Sequence, residues 1–199
     1  MTQPCRFIRH RINTVAELRT VDAAHGVELD LRDRGDRLIL VHDPFSDGED
    51  FSEYLKHYRN GTMILNIKSE RIEHRVLEEI RRAGTVPDYF FLDSSFPMIR
   101  LLAKGGERGI AARFSEFEPI EGVLALAGLI DWVWVDCFTR NPLDDVSYRL
   151  MKEAGFKLCA VSPELQKRPV EEIAAYRAEL ARFQMDAICT KRPDLWEAP

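Results

Sequence analysis

The chain has 199 residues, a length suited to one domain, and 45% of them are hydrophobic, which sets it apart from disordered chains. Lys and Arg number 28 against 33 Asp and Glu, a net charge of −5 without long runs of one sign, so nucleic acid is excluded as the default partner while a local basic pocket is allowed. No apolar run is long enough to span a bilayer, and the N-terminal MTQPCRFIRHRIN has no apolar leader core, so a cytoplasmic protein without stable membrane association is expected.

Short apolar runs alternate with longer amphipathic stretches. CRFIRH (5–10) is the first strand candidate, and a helix from Thr14 to Ala24 follows with Asn13 as its cap. GVELDLR (26–32) is the second strand. Only DRGDR separates it from LILVHD (38–43), too short for a helical crossover but right for a hairpin turning near Gly35. That hairpin is predicted to return His42 to about the level of Glu28. A turn at Ser46-Asp47-Gly48 leads into a helix from Asp50 to Tyr58.

MILNIK (63–68) comes next, with a helix from Arg71 to Ala83 stopped by Gly84. YFFLD (89–93) and IAARFS (110–115) are followed by weaker helical patterns, Met98 to Lys104 and Ile120 to Leu129. WVWVDCF (132–138) precedes a helix from Asp144 to Ala154, ended by Gly155. KLCAVS (157–162) precedes one from Glu171 to Phe183, just after Pro169, and DAICTK (186–191) is the last strand. Eight strands in β–α order predict parallel pairing with right-handed crossovers. The expected fold is α/β: a minimal (β/α)8 TIM barrel over residues 1–199, one domain, with an extra antiparallel hairpin strand after the second strand. Cys5, Cys137, Cys159 and Cys189 lie in strand-like segments without a Cys-x-x-Cys pair, and are read as buried reduced thiols.

In such a barrel the site lies at the C-terminal ends of the strands, and here those ends are polar. They carry His10 and Arg11, Glu28 and Asp30, His42 and Asp43, then Asn66, Lys68 and Glu70, then Asp93. Arg113, Ser115, Glu116, Asp136, Ser162, Glu164 and Lys191 complete the set. Glu28 and Asp30, two residues apart on one strand, face the same side. Two such carboxylates repel one another unless cations or a metal accompany them, and a hard divalent ion is an economical partner. A salt-bridge network with Arg11 and Lys68 is the other reading.

The ordered set HRINTVAEL…GVELDLRDRGDRLILVHDP…LNIKSE resembles the signature of the glycerophosphodiester phosphodiesterase and phosphatidylinositol-specific phospholipase C-like superfamily over roughly the first third of the chain, and DAICTKRPDL is similar to that family's ending. The resemblance implies phosphodiester cleavage with His10 and His42 as general acid and base. It also implies Arg11 and Lys68 at the phosphate and Glu28 and Asp30 as metal ligands. Two departures stand out: Ile12 replaces the glycine that usually follows His-Arg, and Asn66 replaces the family's third carboxylate. A weak Mg²⁺ or Ca²⁺ site on Glu28, Asp30 and Asn66 is therefore expected, since affinity follows ligand charge.

The expected activity is hydrolysis of a small soluble phosphodiester, a glycerophosphodiester or sugar-phosphate diester, with Arg113 as a further substrate-binding residue. Metal-independent cleavage with Arg113 and Lys68 replacing the ion is a second reading, and a non-catalytic barrel that binds a phosphorylated ligand is a third. Arg113 could equally be the partner of Asp93. Asp136 is read as a polar lining residue, while Trp132, Trp134 and Trp196 are read as packing. His25, His57 and His74 are read as surface residues.

Overall fold

The computed structural model describes residues 4–197, so the extreme ends of the expected 1–199 domain lie outside the described residues. The first five strands are β1 (Arg6–Arg9), β2 (Gly26–Arg34), β3 (Arg37–Leu40), β4 (Glu49–Asp50) and β5 (Thr62–Ile67). The others are β6 (Asp88–Leu92), β7 (Ala111–Phe114), β8 (Trp132–Val135), β9 (Lys157–Val161) and β10 (Ala187–Thr190). The helices are α1 (Val15–Leu18), α2 (Phe51–His57), α3 (Glu73–Ala83) and α4 (Phe96–Lys104). After these come α5 (Ile120–Leu124), α6 (Asp145–Glu153), α7 (Glu172–Leu180) and α8 (Pro193–Glu197).

Parallel ladders run β6–β5–β2–β1 and continue β1–β10–β9–β8–β7. The hairpin forms as expected, with Gly35 at φ +63° in its turn and β3 antiparallel to β2, Leu31 opposite Leu40 and Arg34 opposite Arg37. β4, which sequence patterning missed because it is two residues long, pairs antiparallel with β3.

The closed barrel needs correction. Between β6 and β7 the ladder shrinks to one parallel bridge, Phe91 to Ile110, with the Phe91 amide donating to the Gly109 carbonyl at 2.8 Å. The cause is local. Residues 107–109 are held to β6 by side chains, since Glu107 accepts from both the Tyr89 hydroxyl and the Gly109 amide. Gly109 also approaches so closely that a Cβ there would stand 2.9 Å from the Tyr89 carbonyl oxygen. Regular pairing begins only at Ala111, on the β8 side. The architecture shown is a curled α/β sheet made of two four-stranded parallel arcs, β1-β2-β5-β6 and β7-β8-β9-β10, joined by a full ladder at β1–β10 and by that single bridge at β6–β7.

Strand alternation sorts the side chains into two cores. One set, including Leu29, Leu65, Phe91, Val133 and Leu158, packs outward against the helices. The other, including Ile8, Ile64, Phe90, Trp132, Trp134, Cys159 and Cys189, fills the inside of the curl, where Phe90 stacks on Trp132 with ring centroids 4.4 Å apart. Trp196 donates from its indole to the Ser162 hydroxyl at 2.9 Å and is buried. Burial pushes the Cys159 and Cys189 thiols well above their usual range and Cys5, which is only partly buried just before β1, up to about 11.

Helix ends follow their capping chemistry. Asp50 and Asp144 cap α2 and α6 through their carboxylates, and Gly84 ends α3 at φ +62°. The first helix is shorter than expected, and its cap is Thr14 rather than Asn13. Thr14 accepts from the Glu17 amide while the Glu17 carboxylate reaches back to the Thr14 amide, a reciprocal pair that fixes the start one residue later. α5 likewise stops at Leu124 rather than Leu129, and α8 was not foreseen. Among the described residues no helix is long and apolar enough to cross a membrane.

Candidate active site

The inward register of the curl turns polar at its C-terminal end. On β2 the inward positions are Glu28 and Asp30, both fully buried; their partners on β5 are Ile64 and Asn66. Asn66 donates from its amide nitrogen to Glu28 Oε1 at 2.8 Å. The other Glu28 oxygen accepts the Arg11 backbone N–H at 2.7 Å and lies 3.7 Å from His10 Nε2. Arg11 reaches this position in a left-handed conformation, φ +56°, at the place in the His-Arg motif just before Ile12. Ile12 itself is buried, and its amide donates to the Glu28 carbonyl at 2.8 Å.

Asp30 is held on two sides. Asn13, not needed as a helix cap, donates its side-chain N–H to Asp30 Oδ2 at 2.9 Å and accepts the Asp30 amide at 2.8 Å. Arg11 Nε stands 3.4 Å from Oδ2, and Lys68 Nζ stands 3.8 Å from Oδ1. The chain of charge continues around the mouth. Lys68 donates to Asp93 at 3.0 Å, Arg113 binds Asp93 at 2.7 Å, and its other arm binds Asp136 at 2.9 Å. Asp136, 1% exposed, also accepts from the Trp134 indole, the Cys137 amide and the Gln166 side chain. Arg113 is thus partner to Asp93 and Asp136 together, and Asp136 is a buried lining residue.

His42 follows β3 to the mouth. Its carbonyl accepts two bonds from Arg32, and its ring is partly exposed and paired with Asp43 at 2.8 Å. The hairpin register carries His42 to about the level of Glu28, as expected, but its ring pairs with Asp43, and the histidine that meets Glu28 is His10. The remaining polar residues are tied up locally. Ser115 donates to Glu118, Glu116 accepts from Thr139, and Glu70 accepts from Ser95. Glu164 accepts from Thr190 and from the Lys191 amide, while Ser162 accepts from Trp196.

Electrostatics separates the two groups of the His10–Glu28 contact. Burial first, and then the charges of Arg11, Lys191, Lys68 and His42, push His10 down to about 3, so its ring is neutral around pH 7. Burial and the neighbouring Asp30 push Glu28 up to about 7. The pair therefore holds one proton in mildly acidic solution, on Glu28, and gives it up around pH 7. Among the described residues no group of three or more His, Cys, Asp or Glu is gathered as for a metal ion. Asp30 Oδ1 and Asn66 Oδ1 are nevertheless buried without a hydrogen-bond partner, side by side across the β2–β5 register.

No protein-family model matches the chain, and no curated protein matches it either. The site is described by its own geometry.

The site roles of Asn13 and Gln166 were missed from sequence, while Trp134 packs in the core as expected and also donates to Asp136. Asn13 looked like a helix cap, and the capping box one residue on, Thr14 with Glu17, was the signal that freed it. Gln166 lies on a 3-10 turn (Pro163–Gln166) with no sequence signature of its own.

The opposite shifts have a testable consequence for stability. His10 is lowered in the folded state, so its contribution is present above about 6.5 and lost as pH falls toward about 3. Glu28 is raised, so its contribution is present below about 4.5 and lost as pH rises through about 7. Between about 4.5 and 6.5 the two slopes cancel. Glu28→Gln removes one of them, so the variant's unfolding free energy should climb relative to wild type by about 1.4 kcal/mol per pH unit across that window. Urea unfolding at several pH values checks this, and parallel curves for the two proteins would remove Glu28 as a titrating partner.

Proposed function

We propose that this chain is a phosphodiesterase acting on a small soluble phosphodiester, working from the polar C-terminal end of the curled sheet. The observation that carries the reading is a half-buried His10 with its Nε2 3.7 Å from Glu28, set among Arg11, Lys68 and Arg113 at one end of the curl. The ordered motif that resembles the glycerophosphodiester phosphodiesterase and phospholipase C-like superfamily supports it, because its residues are the ones gathered here.

In this reading a hydroxyl of the substrate next to the phosphorus gives its proton to His10 and attacks, and a phosphorus–oxygen bond to the other alcohol breaks. His42, protonated, returns a proton to the departing alkoxide. The product is a cyclic phosphate, which water opens with the two roles exchanged. Arg11, Lys68 and Arg113 bind the phosphoryl oxygens as negative charge builds on them. Asp43 holds the His42 ring, and Glu28 holds His10.

The two unbonded oxygens of Asp30 and Asn66, beside Glu28, suit a hard cation, which would supply Lewis-acid polarisation of a phosphoryl oxygen. Asp30, Asn66 and Glu28 would hold it, with water or substrate oxygens completing the shell. A specific observation favours the metal-independent reading as the alternative: Asp30 already faces Arg11 and Lys68, and Asp93 and Asp136 already face Arg113.

The test is turnover of a panel of glycerophosphodiesters in EDTA and in added Mg²⁺ or Ca²⁺, with Asn66→Glu alongside. The expected result is loss of activity in EDTA and tighter ion binding by Asn66→Glu, which restores a third carboxylate. Turnover indifferent to chelation, with no gain for the variant, would move the chemistry to the cations. If no diester is cleaved while a phosphorylated compound raises the melting temperature, the chain is a binding barrel.

A further inference from the structure

The thin seam between β6 and β7 leaves space on the helix side. A cavity of about 340 Å³ lies between α4 and α5, floored by Ala111 and Ala112 and walled by Ile99 and Leu126. It exists because α5 is barely more than one turn and carries Gly122, whose missing side chain faces open space. Phe96 and Phe117 at its rim are 59% and 71% exposed, a considerable apolar area to leave in water.

Its inner end meets the mouth, since Asp93 and Arg113 are among its lining residues. One polar group there stands unsatisfied. Ser94 is 9% exposed, and its hydroxyl has no hydrogen-bond partner among the described residues. The carboxylates nearby are engaged: Asp93 with Lys68 and Arg113, Glu118 with Ser115.

We infer that this cavity is a binding site for an apolar alcohol group, aromatic or short aliphatic, carrying at most one polar function for Ser94. Its size is at the lower end of small-molecule sites, which run from about 300 Å³. The inference rests on the proposed function for its placement: a phosphate held at Arg113 would direct one of its two esterified alcohols along the seam. Away from Asp93, Arg113 and Glu118, whose side chains are already paired, the walls offer a polyol only the Ser94 hydroxyl, so an apolar group is favoured there. The substrate class is then a diester with one apolar alcohol.

Gly122→Phe sets a phenyl ring at the edge of the cavity on α5, away from the mouth, where an added Cβ meets nothing within 4 Å. For this variant kcat/KM on glycerophospho-p-nitrophenol, whose glycerol supplies the attacking hydroxyl, is expected to fall at least about tenfold, the scale of a lost apolar subsite, with glycerophosphoethanolamine unaffected. Equal effects on both substrates overturn the inference. Benzyl alcohol, titrated and followed by protein NMR, tests the cavity without chemistry. Wild type should show shifts confined to residues around Ser94 and Gly122, which Gly122→Phe abolishes and Ser94→Ala weakens. Absence of benzyl alcohol binding by wild type overturns the site. Should wild type cleave no diester yet bind benzyl alcohol there, the phosphodiesterase reading fails and the apolar site stands.

Discussion

His10→Ala and His42→Ala are each expected to abolish diester cleavage, by on the order of 10²–10⁴-fold, with the fold intact. His10 is the sharper case. It is mostly buried, 3.7 Å from Glu28, and its Nδ1 has no bonding partner among the described residues. Alanine removes a ring that makes no network of its own, so unfolding curves should move little compared with turnover. The pH profile adds a second readout. Once Glu28 loses its proton, around pH 7, the anion beside His10 raises the ring's appetite for a proton. The wild-type kcat/KM should therefore rise through that region, and Glu28→Gln should lose the rise. Full activity in both histidine variants would reject the assignment.

Asp136→Ala should give the largest loss of stability, on the order of 3–5 kcal/mol, because it breaks a buried charge pair and strands its partners. The carboxylate is 1% exposed and accepts from Arg113, the Trp134 indole, the Cys137 amide and Gln166. Arg113 keeps Asp93 and is partly exposed, which places the effect toward the lower end. Urea denaturation measures it. A loss below about 1 kcal/mol would mean that water reaches the stranded donors and that the cluster is less dry than its packing indicates. Asp136→Asn separates charge from hydrogen bonding: it keeps an acceptor for the indole and the amide but no longer balances Arg113.

The strand positions were legible because each buried strand is a compact apolar run, from CRFIRH to DAICTK, and the hairpin was legible because five residues cannot hold a crossover helix. Glu28, Asp30, Asn66 and Lys68 come together as their register requires, and Arg113 reaches Asp93 from the neighbouring strand. What the sequence hid depends on side-chain direction and on contacts distant in the chain. The hairpin brings His42 to the mouth, but nothing local says that its ring turns to Asp43. Asn13 was assigned to the wrong task because two residues in succession suit a cap. The single bridge at β6–β7 follows from a glycine pressed against a carbonyl, and a glycine's neighbours cannot be read from its own position.

The arrangement of the two arcs bears on how the chain folds. Where the two arcs meet, β6 and β7 share a single bridge, while the first and last strands share a four-residue ladder, Arg6 with Ala187 through Arg9 with Thr190. Loop-closure entropy is thus met late and over nearly the whole chain, where it slows the search most. Each arc can gather its own consecutive strands first, and the docking of one arc on the other along β1–β10 becomes the slow step. His10, Arg11, Glu28, Asp30, His42, Asn66, Lys68 and Asp93 all belong to the first arc and its connections, Arg113 and Asp136 to the second. Most of the polar cluster can therefore assemble before the two arcs dock, and it acquires Arg113 only when they meet.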